Sequence, residues 1–124
     1  MKTIITIKIN NADSLANFYL FEHYLIGSDK QKCQEILLSF SSPVELIILE
    51  HPKISGFHCT LYKDNLGYLI IDGWSKYKSR NGIYVNGKKT ECKFLTNNDV
   101  IFLGCSEITL QYKEELSENE IPEY

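Results

Sequence analysis

Residues 45–104 read ELIILEHPKISGFHCTLYKDNLGYLIIDGWSKYKSRNGIYVNGKKTECKFLTNNDVIFLG, and this stretch decides the fold. Short runs rich in Ile, Leu, Val, Tyr and Phe alternate with turn pairs: Asp64-Asn65, Asn81-Gly82, Asn86-Gly87 and Asn97-Asn98-Asp99. β-branched and aromatic residues pack well on a pleated surface, and Asn-Gly supplies the positive φ that a tight reversal needs. The runs predict strands at Glu45–Leu49, Phe57–Lys63, Tyr68–Asp72, Ile83–Val85 and Val100–Leu103. Two Asn-Gly pairs five residues apart place a three-residue strand between two loops.

The same cadence continues outward. Thr3 to Ile9 alternates, with Ile5, Ile7 and Ile9 on one face; Asn10-Asn11 then marks a turn. Tyr19 to Ile26 and Glu107 to Tyr112 read as further strands. The one plausible helix is Lys30 to Leu38, where Cys33, Ile36 and Leu37 share a helical face behind Asp29. The sum is an all-β sandwich of two antiparallel sheets, with a short helical insert near 30–38. No repeat and no room for a second domain are evident in 124 residues. The chain divides into a domain over 1–112 and a tail over 113–124.

Composition narrows the function. The net charge is −3, and the tail KEELSENEIPEY alone contributes −4 (five Glu, one Lys), so the remaining body is near +1. A nearly neutral body lacks the basic footprint of a nucleic-acid binder. No apolar run approaches membrane-spanning length, and MKTIITIKIN lacks the pattern of a signal peptide, so a cytoplasmic protein is expected. Cys33, Cys59, Cys92 and Cys105 form no C-x-x-C pair, and His23, His51 and His58 show no ligand spacing. Cysteines that behave as small hydrophobes, with no metal and no cofactor, are the expectation. Ser55, His58 and Asp72 could be imagined as a hydrolase triad, but no G-x-S-x-G turn presents the serine, so no catalytic residue is expected.

The central stretch resembles the forkhead-associated (FHA) domain family. The family's S-x-x-H element is matched by Ser55-Gly56-Phe57-His58, and its N-G element by Asn81-Gly82. The lead-in strand is matched by Tyr68-Leu69-Ile70-Ile71-Asp72, and the closing G-D-x-I-x-L-G by Asn98-Asp99-Val100-Ile101-Phe102-Leu103-Gly104. The resemblance covers residues 18–112 and implies a binding module for phosphothreonine peptides that catalyses nothing. It also implies that His58 is structural, its ring holding the Ser55 loop through backbone bonds, with Gly27 and Gly82 as structural glycines.

One departure matters. The family carries a Gly-Arg pair near its start, whose arginine contacts phosphate; here the pair is Gly27-Ser28, and the segment after it is longer than usual. Arg80, the chain's single arginine, precedes Asn81 in a stretch, 73–90, that holds Lys76, Lys78, Lys88 and Lys89 and no acid. A planar guanidinium suits a bidentate phosphate contact, so Arg80 is expected to replace the lost one. The expected phosphopeptide contacts are Ser55, Arg80, Asn81, Lys78 and Ser28, with Lys53, Trp74 and Tyr77 near them. The competing expectation is a scaffold that has lost phosphate recognition and associates with proteins independently of it. Partner identity and oligomeric state are not legible.

Overall fold

The computed structural model describes residues 2–9 and 16–115. Among these residues, eleven strands form two sheets around one core. The first sheet joins β1 (Lys2–Ile9), β2 (Ala16–Leu20), β7 (Ile83–Val85), β8 (Lys88–Thr90), β10 (Val100–Leu103) and β11 (Cys105–Glu115) in the order β2-β1-β11-β10-β7-β8. The second joins β3 (His23–Gly27), β4 (Val44–Ile48), β5 (Cys59–Asp64), β6 (Gly67–Asp72) and β9 (Cys92–Phe94) in the order β4-β3-β5-β6-β9.

Alternation along each strand explains the core. Ile5, Ile7, Ile83, Val85, Ile101, Leu103, Ile108 and Leu110 project from the first sheet onto Tyr24, Ile26, Ile47, Leu61, Tyr68 and Ile70 of the second. Successive side chains of a strand point to opposite faces, so Leu25, between two of these core residues, faces outward. There it meets α1 (Lys30–Leu37), which buries Cys33 and Ile36 against Leu25 and Phe57. Asp29 starts this helix, its carboxylate accepting the Lys32 N–H at 3.2 Å. Ser39 ends it by donating its hydroxyl to the Ile36 carbonyl at 2.7 Å.

Several expectations need correction. The second sheet is mixed, because β3 and β4 run parallel, His23 opposite Val44 through Gly27 opposite Ile48. Parallel neighbours need a crossover, and residues 28–43 with α1 supply it, so the helix is a connection within the sheet. The run Tyr19 to Ile26 is two strands in different sheets, broken at Phe21-Glu22, whose backbone is satisfied by Tyr24 and Tyr68 hydroxyls. Strands β8 and β9 were not foreseen. Strand β11 continues to Glu115, paired with Lys2, beyond the 112 boundary. The Asn10-Asn11 turn and tail residues 116–124 lie outside the described residues.

The turns behave as their residues require. Asn86 and Gly87, at φ +51° and +85°, join β7 to β8 with the two positive values of a type I′ hairpin. Asp99 organises the return to β10, although it is nearly inaccessible. Burial works to raise its pKa, but Lys93 Nζ at 2.7 Å, the Thr96 N–H and hydroxyl, and Asn86 Nδ2 all donate to it and hold it at about 2. Its folded pKa is thus depressed. The stabilisation is fully present above the ordinary carboxylate range near 3.8 and is lost as pH falls toward 2. Asp99→Asn should cost about 2 kcal/mol at neutral pH, read from urea denaturation. An unchanged midpoint would mean that the four donors find other acceptors.

Candidate functional site

Three segments meet at one end of the sandwich: the β4–β5 loop, the β6–β7 loop and the start of α1. His58 ties the first two together. Its fully buried ring accepts the Ser55 N–H on Nδ1 at 3.0 Å and donates from Nε2 to the Gly82 carbonyl at 2.7 Å. Those partners fix the neutral tautomer with its hydrogen on Nε2. Burial drives the His58 pKa below 6.5, against the opposing pull of the Gly82 carbonyl and Asp72. The Gly82 carbonyl also accepts the Gly104 N–H at 3.0 Å, so the closing glycine of β10 joins the same knot.

Ser55 and the residues around Asn81 are bonded directly. The Ser55 hydroxyl oxygen accepts the Arg80 N–H at 2.8 Å, leaving its own hydrogen free to donate outward. Asn81 Nδ2 donates to the Lys53 carbonyl at 2.9 Å, leaving the amide oxygen as an acceptor. Ser79 accepts the Gly82 N–H at 2.9 Å and gives its own N–H to Asp72, also at 2.9 Å. Asp72 is therefore occupied with backbone. Among the described residues, the exposed Arg80 guanidinium has no ion-pair partner.

These loops open onto a cleft of about 1010 Å³ whose other wall is α1. Ser55, Arg80, Asn81 and Lys78 line it, as do Trp74, Tyr77 and Lys76 from the β6–β7 loop and Lys32, Glu35 and Ile36 from α1. Four cations face one carboxylate there. Phe40, Trp74, Tyr62 and His23 form a continuous ring stack beside it, with centroid separations of 4.6, 5.6 and 4.4 Å.

Two expected contacts stand differently. Ser28 does not line the cleft: its hydroxyl donates to the Ile54 carbonyl at 2.9 Å and its N–H to the Ser55 carbonyl at 3.0 Å, so it braces the loop from behind. Lys78 lines the cleft, but its ammonium lies 3.7 Å from Glu91. Gly27 is forced by close approach, since a Cβ there would fall 2.1 Å from the Gly56 carbonyl oxygen. Lys32 and Glu35 were missed because nothing in a short amphipathic helix marks which polar face borders a cleft.

A second cluster lies elsewhere. A ring nitrogen of His51, Cys105 Sγ and a Glu107 carboxylate oxygen lie within 4.8 Å of one another. The His51 Nδ1 accepts the Lys53 N–H at 3.1 Å, so Nε2 carries the hydrogen and donates to Glu107 at 3.3 Å. A metal on Nε2 would need that hydrogen on Nδ1, where Lys53 already donates. The cluster is a hydrogen-bonded brace for the β4–β5 loop.

Residues 24–104 match the family model of the FHA domain. The chain belongs to the FHA domain family. Among solved structures, the FHA fold here is similar to the Slr1951 protein from Synechocystis sp., with a TM-score of 0.69 and 21% identity over 94% of this chain and 98% of that one. The FHA domain of CT664 from Chlamydia trachomatis superposes with a TM-score of 0.67 and 22% identity, over 94% and 100% of the two chains. An FHA domain whose interactions are phosphothreonine-dependent has a TM-score of 0.65 and 19% identity, over 92% and 99%. No curated protein matches the sequence. Among the described residues of this FHA domain, no helix is long and apolar enough to cross a membrane.

Proposed function

We propose that this FHA domain is a protein-interaction module that binds phosphothreonine peptides, and not an enzyme. The observation that carries the reading is the convergence of the Ser55 hydroxyl, the Arg80 guanidinium and the Asn81 amide at one cationic cleft. Ser55 and Arg80 hold the phosphate, Asn81 takes the peptide backbone, and Lys78 adds longer-range attraction. Ile54 and Phe57, both buried and both lining the cleft, offer apolar contact to the threonine methyl. Phosphothreonine-dependent binding by a relative of the same fold supports the choice. In the cytoplasm the four unpaired thiols would stay reduced.

A second reading, phospho-independent association, is favoured by Ser28, which brings no charge and turns its hydroxyl inward. One titration separates the two. A peptide selected from a phosphothreonine-oriented library is measured by calorimetry beside its unphosphorylated form. Two charge-assisted hydrogen bonds at about 1.5 kcal/mol each predict a preference of about 100-fold for the phosphorylated form. Equal affinities would make the second reading correct.

A further inference from the structure

The wall of the cleft made by α1 carries a cation that the reading above leaves unused. Lys32 sits in the first turn of α1 and lines the cleft together with Ser55 and Gly56. Its stem is laid down on a specific surface: a Cβ added to Gly56 would fall 2.6 Å from Lys32 Cδ, 3.3 Å from Asp29 Cβ and 3.5 Å from Lys32 Cε. A side chain at 56 would displace that stem, so the bare glycine is the bed on which the lysine rests.

The backbone beneath is fixed as well. The Gly56 carbonyl accepts the Asp29 N–H at 3.1 Å and the Cys33 thiol at 3.3 Å, and the Asp29 carboxylate accepts the Lys32 N–H. Burial, with Asp29 nearby, pushes the Cys33 thiol up to about 11, which keeps it a donor. The first turn of α1 is therefore clipped to the residue that follows Ser55. Of the other two lysines that line the cleft, Lys78 lies beside Glu91 and Lys76 sits over the Tyr77 ring, 5.5 Å from its centroid. Among the described residues, no carboxylate pairs with the Lys32 ammonium.

We propose that Lys32 is the second cation of the anion site, so that a phosphate over the Ser55 hydroxyl is held between Arg80 on the β6–β7 loop and Lys32 on α1. The proposal rests on the phosphopeptide reading and names a residue for it. A phosphate carries a charge near −2, and one guanidinium neutralises half of it. Two cations on opposite walls complete the neutralisation while staying apart from each other when the site is empty. The crossover that accompanies Ser28 in this chain then returns a positive charge to the site from a different element.

The test uses the phosphothreonine peptide selected above and its unphosphorylated form, titrated into wild type and three variants. Lys32→Met keeps the stem and removes the charge; Gly56→Ala keeps the charge and pushes the stem off its bed; Lys32→Arg keeps both. The first two should each weaken phosphopeptide binding about 10-fold or more, the loss of one charge-assisted hydrogen bond. The thermal midpoint of Lys32→Met should stay at the wild-type value, and in both variants the dependence of affinity on salt should become shallower. Lys32→Arg should bind like wild type. A wild type that prefers the phosphorylated peptide while Lys32→Met binds it equally well overturns the Lys32 assignment alone. A wild type with no preference for phosphate overturns the phosphopeptide reading and the clamp with it.

Discussion

Arg80→Ala should weaken binding of the phosphothreonine peptide by about 30-fold to 1000-fold, or 2–4 kcal/mol, the range for truncating one partner of a hydrogen-bonded charge pair. A dianion leaving water must recover its hydration, and hydroxyl and amide donors alone return too little. The guanidinium is exposed and without an ion-pair partner among the described residues, so it meets the ligand without first breaking a bridge. Its backbone N–H is already donated to the Ser55 hydroxyl, which sets the root of the side chain beside the serine. Arg80→Lys recovers part of the loss, because an ammonium supplies charge without the planar fork. The fold is unaffected, since an exposed loop side chain changes stability by about 0.5 kcal/mol or less. Calorimetric titration reads the affinity, and a variant that binds as tightly as wild type would remove Arg80 from the site.

His58→Ala should destabilise the domain by about 3 kcal/mol, combining a small void with a half-buried Ser55 N–H left without its acceptor. The Gly82 carbonyl suffers less, because the Gly104 N–H still reaches it. Denaturation in urea measures the loss. Phosphopeptide affinity should fall as well, since Ser55 and Gly82 lose their common tie. A pH series isolates the histidine. Its folded pKa lies below 6.5 because burial disfavours the charged ring, so the unfolded chain takes up the proton first as pH falls. The stabilisation is full above 6.5 and is lost as pH drops through the folded value. Wild type should lose stability more steeply than His58→Gln as pH falls below 6.5. Parallel profiles would show that the ring takes up its proton over the same pH range folded and unfolded.

The strands were legible wherever apolar residues alternate beside an Asn-Gly or Asn-Asp turn, as in Ile83–Val85 and Val100–Leu103. They were illegible where charge masks the pattern: β8 is Lys88-Lys89-Thr90, an edge strand whose lysines face solvent and read as loop. The break at Phe21-Glu22 was hidden because the apolar run on either side is unbroken, and the Glu22 carbonyl is satisfied by Tyr68, distant in sequence. The helix was readable from Cys33, Ile36 and Leu37, but its role as a parallel crossover depends on β3–β4 pairing that periodicity does not encode. Ser55 and Asn81 of the two motifs fell on loops that line the cleft. Ser28 did not, because a hydroxyl next to an open backbone carbonyl bonds locally, and the Ile54 carbonyl was there to accept it.

Trp74 is the chain's single tryptophan, and it lines the cleft while stacked on Phe40 at 4.6 Å and Tyr62 at 5.6 Å. Its indole emission is therefore a native optical signal from the ligand end of the sandwich, free of contributions from the core. Phe40 belongs to the segment that leaves α1, Tyr62 to β5 and Trp74 to the β6–β7 loop, so relative movement of these three elements changes the stacking and with it the quantum yield. Ligand engagement at the cleft can be followed in unlabelled protein by fluorescence, and stopped-flow mixing on the same signal yields the association and dissociation rates directly.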